Sequence, residues 1–182
     1  MKKLQILTQN LDGELHYDMK LRILYATDAS AYRQIPMAVA IPKTEKDLKT
    51  LILFAKENNV SLIPRTAGTS LAGQVVGAGI VVDVSVHFNQ ILEVNLEEKT
   101  VWVQAGVIRD ELNRHLKQHN LFFAPETSTA NRAMLGGMVG NNSCGSNSVA
   151  YGSTREHLLE VKALLSDASE VSFKNLTIKQ LE

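Results

Sequence analysis

The chain is predicted to adopt an α+β fold in two small lobes, and three observations predict it. A strand, helix, strand pattern of apolar runs comes early, two alternating hairpin patterns come later, and two stretches crowded with glycine and hydroxyl residues interrupt them. At 182 residues, 45% of them apolar, the chain is long enough for one ordinary core or two lobes sharing an interface.

Residues 1–34 carry weakly periodic apolar positions with "LDGEL" as a turn, and they read as an irregular or partly helical lead-in. "PMAVAIP", 36–42, is an apolar run fenced by prolines, which suits a strand. Thr44 offers an N-cap with Asp47 three residues on, and Leu48, Leu51, Ile52 and Ala55 recur at helical spacing to about Asn59. "VSLIP" and "GIVVDV" give a second and a third strand, so a right-handed crossover should set the first two parallel. "ILEVN" and "TVWVQA" alternate around the charged turn "LEEK" as an antiparallel hairpin. In "VIRDELNRHLKQHN", Val107, Leu112 and Leu116 mark a helix that stops at Asn120. Residues 124–156 form a long small-residue loop region, with a helical turn at "RAMLGGMVGNN". "LLEVKALLSD" and "SEVSF" pair across "DAS", and "NLTIKQLE" reads as a short helix. There is no internal repeat.

Composition excludes several function classes. Nineteen basic residues balance nineteen acidic ones, so no long-range field favours nucleic acid or an anionic membrane. The single cysteine, Cys144, excludes an internal disulfide and a four-cysteine metal site, and it fits a reducing, cytoplasmic setting. No window approaches the roughly twenty apolar residues of a membrane span, and no signal peptide is evident, so a soluble protein without a transmembrane segment is expected.

The stretch "PRTAGTSLAGQ", 64–74, stands where a shorter turn would suffice. It reads either as a solvated glycine turn or as a phosphate cradle, for which small residues let successive backbone N–H groups converge. Each such bond to a phosphate is worth roughly 1.5–3 kcal/mol, and Arg65 could add on the order of 4 kcal/mol at about 4 Å before desolvation. A Walker loop is excluded because no lysine lies between Arg65 and Glu93. A dinucleotide fingerprint is excluded because "GAGIVV" has Val82 in the third glycine position and looks like a strand.

The second concentration is "PETSTANRAMLGGMVGNNSCGSNSVAYGS", 125–153. Its glycines permit close backbone approach, while Asn141, Asn142 and Ser143 suit ribityl hydroxyls or the edge of a heterocycle; ordinary turns would use the same residues. Cys144 reads as a small buried residue rather than a nucleophile. "GTSLA" has Ala72 where a nucleophile elbow needs glycine, which argues against a serine hydrolase. His115 and His119 share an i, i+4 spacing without H-E-x-x-H, so an exposed helix face is expected rather than a metal site. Trp102 and Phe88 read as core or lobe-interface residues.

At these two loops the chain resembles the FAD-binding domain of the vanillyl-alcohol oxidase and para-cresol methylhydroxylase (PCMH-type) family, above all the FAD-linked D-2-hydroxy-acid dehydrogenases related to D-lactate dehydrogenase and glycolate oxidase. The matching stretches are "YATDASAYRQIPMAVAIPKTEKDL", "PRTAGTSLAGQ", "GIVVDVSVHFNQIL" and "LGGMVGNNSCGSNSVAYGST", in the same order and spacing. The resemblance implies a bilobal α+β domain holding extended FAD between a small parallel βαβ lobe (about 35–95) and a lobe with antiparallel strands and helices (about 96–182), after the lead-in 1–34. It implies that Arg65, Thr66, Ala67, Gly68, Thr69 and Ser70, with Gln74, hold the pyrophosphate. Thr127, Ser128, Thr129, Gly136, Gly137, Asn141, Asn142, Gly145, Tyr151 and Gly152 would line the ribityl chain and the isoalloxazine. The implied activity is oxidation of a D-2-hydroxy acid by hydride transfer to FAD.

Where relatives read Arg-Gly-Gly-Gly-Thr, Thr66 and Ala67 stand here, so a left-handed backbone at either would be strained. With no histidine in this loop, non-covalent FAD is expected. Relatives continue into a further glycine-rich segment and a substrate-binding cap. The chain is therefore expected to be the N-terminal part of a larger flavoenzyme, needing the remainder or a partner subunit, inactive alone and without catalytic or metal-binding residues of its own. The alternatives are a degenerate FAD-fold scaffold and another PCMH-type enzyme such as an enolpyruvoyl-sugar reductase.

Overall fold

The computed structural model describes residues 2–176. Lys2–Gln9 forms α1, which buries Leu4 and Leu7. Glu14–His16 forms β1. Asp18 caps α2, Met19–Leu24, by accepting the Lys20 and Leu21 amides. The lead-in is therefore partly helical, as expected, and it also contributes an edge strand that three residues are too few to announce by alternation.

β2, Ala38–Ile41, lies between the two prolines. α3, Glu45–Asn58, opens on the predicted capping box of Thr44 and Asp47 and closes at Asn59, whose φ of 51° is left-handed. β3 is Leu62–Arg65 and β4 is Ile80–Asp83. The sheet order is β1-β2-β4-β3, with β4 parallel to both β2 and β3 and β1 antiparallel to β2. The first two predicted strands are thus parallel, but the third lies between them. The reason is composition: β4 is buried at all four positions and suits a sheet centre, whereas β3 carries Pro64 and Arg65, which suit an edge.

Leu4, Leu7, Leu15, Ala38, Ala40, Leu51, Ile80 and Val82 make the first core. Asp47 is fully buried beside it and accepts the amides of Asp12, Gly13, Lys43 and Thr44 at 2.8–3.2 Å. Burial alone would raise its pKa, but these four bonds outweigh that and hold it below the usual carboxylate range.

The predicted hairpin is β5, Ile91–Asn95, with β6, Thr100–Val103, and Lys99 takes φ 55° at its turn. α4, Arg109–Leu116, runs into a 3-10 turn that ends at Asn120, φ 55°. Val107, Leu112, Leu116 and Leu135 form a second core against both hairpin strands. The long loop region contains α5, Leu135–Gly140, α6, Ser148–Tyr151, and a 3-10 turn over Thr154–His157. β7, Glu160–Leu164, and β8, Glu170–Lys174, form the last hairpin. It touches both lobes: Lys49 of α3 pairs with Glu170 at 2.5 Å, and Lys162 lies over the half-buried Trp102 ring at 5.0 Å. The helix expected over "NLTIKQLE", 175–182, lies outside the described residues from 177 on. Among the described residues no helix is long and apolar enough to cross a membrane.

Candidate functional site

Parallel strands offer ligands their carboxyl ends, and the 64–74 loop leaves the sheet at such an end, with Arg65 of β3 in register with Asp83 of β4. The bend is made at Gly68, φ 67°, and again at Gly73, φ 75°. Thr66 and Ala67 are not left-handed, so the strain anticipated at these positions does not arise. Ser70 Oγ accepts the Ala72 and Gln74 amides at 3.4 and 3.3 Å, which closes the loop on itself. Among the described residues, the amides of Ala67, Gly68, Thr69 and Ser70 donate no hydrogen bond to a protein acceptor. These four successive residues are half-buried.

Arg65 reaches the other way. Its Nη1 donates to the Thr27 carbonyl at 2.8 Å, and its guanidinium lies over the Tyr25 ring at 5.1 Å. Tyr25 donates to Asp83 Oδ2 at 2.6 Å. Burial first, then the Asp83 carboxylate, pushes the phenol pKa well above its ordinary value. Ala29 donates to the Gly68 carbonyl at 3.2 Å, so residues 25–29 form the back wall of the loop. One Asp28 carboxylate oxygen accepts the Ser30 amide, and the other is buried without a partner among the described residues. Sequence reasoning missed Tyr25, Thr27 and Asp83 as site residues. The available signal was an aspartate ending an otherwise apolar central strand.

The second loop region comes up against the first. A Cβ added at Gly137 would stand 2.9 Å from Thr66 Oγ1, and Gln74 Nε2 donates to Asn141 Oδ1 at 3.1 Å. Thr66 and Gln74 of the first loop therefore meet Gly137 and Asn141 of the second where the lobes touch. Gly136 serves the second lobe instead, since its amide donates to the Ala105 carbonyl at 2.8 Å and a Cβ there would sit 2.7 Å from Ala105 Cβ. Gly145 donates to Ser148 Oγ and packs on the Glu126 backbone, which links it to the adjoining Thr127–Thr129 segment. Thr127 and Thr129 have their hydroxyls 3.3 Å apart, and Ser128 is exposed. Asn142, φ 47°, accepts Ser153 Oγ and the Arg155 amide, each at 2.9 Å. Tyr151 stands edge-on to Phe122 at 5.7 Å, and Gly152 takes φ 78°. No hydrogen bond among the described residues joins Thr127–Thr129, Gly145, Tyr151 or Gly152 to the first loop. Cys144 is exposed, contrary to the buried position expected for it. His115 is exposed and faces His119 edge-on at 6.3 Å, and no group of three metal-binding side chains occurs among the described residues.

Two lobes whose small-residue loops meet define the class. The fold matches that of p-cresol methylhydroxylase, with a TM-score of 0.82 and 14% identity over 94% of this chain and 34% of that one. It also matches alkyldihydroxyacetonephosphate synthase, with a TM-score of 0.82 and 18% identity over 96% and 38%. This is the PCMH-type α+β fold. The chain belongs to the FAD binding domain family, whose model matches residues 36–174, and FAD is the cofactor. Among its curated relatives are the D-2-hydroxyglutarate dehydrogenases of Haemophilus influenzae, 43% identical over 86% of this chain, and of Pseudomonas putida, 46% over 84%. Glycolate oxidase subunit GlcD of Bacillus subtilis is 32% identical over 80%. The chain spans 16% of the length of each of these two dehydrogenases and 32% of the GlcD subunit.

Proposed function

We propose that this chain is the FAD-binding portion of a flavin-dependent oxidoreductase that oxidises a D-2-hydroxy acid of the hydroxyglutarate type. Residues 35–182 form the cofactor-binding unit, and residues 1–34 complete its first sheet. The observation that carries the reading is the meeting of Thr66 with Gly137 and of Gln74 with Asn141, which brings the two small-residue loops together. Similarity to the hydroxyglutarate dehydrogenases supports the substrate class.

When bound, FAD supplies the two-electron oxidant for the Cα–H bond of the acid. The residues of this chain bind and orient it. The amides of Ala67–Ser70 would hold the diphosphate, and Thr127, Thr129, Asn141 and Tyr151 would line the ribityl chain and the isoalloxazine. The groups that grip the acid and take its hydroxyl proton lie in the rest of the enzyme. The accommodation of Thr66 and Ala67 without left-handed geometry argues against a degenerate scaffold. The lone, exposed Cys144 supports a reducing, cytoplasmic setting.

A chimera tests the reading. D-2-hydroxyglutarate dehydrogenase of Escherichia coli is 41% identical over 96% of this chain, so the matching segment can be exchanged for it. The exchanged enzyme should retain bound flavin and oxidise D-2-hydroxyglutarate faster than glycolate or D-lactate. A folded chimera without flavin would refute the proposal.

A further inference from the structure

Arg65 is the one cation of the 64–74 loop, yet its guanidinium packs behind the loop. A Cβ at Gly68 would stand 2.9 Å from Arg65 Cζ and 3.1 Å from Nε, so the guanidinium fills the space that a side chain at the bend would need. The Thr27 carbonyl holds its Nη1 and the Tyr25 ring lies against it. Tyr25 is itself fixed at its far end by Asp83, which is buried, in register with Arg65 on the neighbouring strand, and also bound by the Ser85 amide at 2.8 Å. The chain of contacts runs Asp83, Tyr25, Arg65, Gly68, and it ends on the amides left without protein acceptors.

We propose that Tyr25 and Asp83 are positioning residues for FAD: they lock the Arg65 guanidinium behind residues 66–70, where it shapes the bend at Gly68 instead of contacting phosphate. The inference rests on the two loops holding FAD and assigns how the cradle is preformed. A preformed cradle binds more tightly because the ligand does not have to order it. An arginine suits the post better than a lysine, because its flat fork can meet a carbonyl and an aromatic face together.

The test compares the unsubstituted chain with Tyr25→Phe, Asp83→Asn and Arg65→Lys by amide hydrogen exchange without ligand and by FAD titration. Tyr25→Phe keeps the ring under the guanidinium and removes only the bond to Asp83. Exchange at the Ala29 amide, which donates to the Gly68 carbonyl, should quicken about tenfold in Tyr25→Phe and Asp83→Asn, with α3 amides unchanged, and the FAD Kd should rise by a similar factor. Arg65→Lys should reproduce the loss rather than rescue it. Gly68→Ala should weaken FAD binding strongly in the unsubstituted chain and less in an Arg65→Ala background, where the collision is gone. Unchanged exchange at Ala29 in both Tyr25→Phe and Asp83→Asn overturns the clamp, as does full rescue by lysine. Faster exchange in the variants together with no flavin in the folded chimera that carries the unsubstituted segment leaves the clamp standing and overturns the FAD reading.

Discussion

The loop at 65–74 and the loop region at 135–153 are both built from small residues, yet they are bent by different means. The first turns at Gly68 because glycine accepts φ 67° and because a cation braced by Tyr25 stands behind it. The second is shaped by close contact and by local acceptors: Gly136 against Ala105, Gly145 against Glu126, and the Asn142 side chain gathering Ser153 and Arg155. The left-handed backbone makes glycine a conformational device at Gly68 and Gly152, whereas close approach makes it a steric one at Gly136 and Gly145. Composition does not separate the two uses, but their removal should.

The sharpest contrast is between two side chains that each gather donors, one in each lobe. Asp47→Ala should strand four part-buried amides around a buried position and cost about 3 kcal/mol in denaturant unfolding, whereas Asn142→Ala, at an exposed position, should cost about 1 kcal/mol or less. Acid extends this test. The folded pKa of Asp47 is depressed, so its contribution is present above the unfolded pKa of about 4 and is lost as pH falls through the lower folded value. Melting temperatures should therefore drop below about pH 4, and Asp47→Asn should flatten that slope. Gly145→Ala comes next, since its Cβ would meet the Glu126 carbonyl carbon at 2.9 Å and backbone yields poorly; about 1–3 kcal/mol of stability should be lost. Gly68→Ala should cost about 1 kcal/mol in global stability, its main effect being on FAD affinity. If Gly68→Ala and Gly145→Ala shifted melting temperature and FAD affinity in the same ratio, the distinction between the loops would fail.

Much of the scaffold was legible because it rests on local rules. The Thr44–Asp47 box, the stop at Asn120 and both charged-turn hairpins are decided within a few residues of themselves. β1 was not legible, since three residues carry no period, and the insertion of β4 between β2 and β3 is a non-local choice that the proline and arginine of β3 only hinted at. The direction of Arg65 was hidden for the same reason: the carbonyl and the ring that hold it come from residues 25–27, far off in sequence. A guanidinium beside a small-residue loop can face the ligand or back the loop, and only the packed partner decides.

The most direct test is titration with FAD, followed by flavin fluorescence, of the chimeric dehydrogenase that carries this segment, unsubstituted and with Gly68→Ala or Gly137→Ala. Two loops sharing one ligand predict saturable one-to-one binding that is weakened by either substitution. Saturable binding indifferent to the substitution in one loop, or no saturable binding at all, would contradict the account.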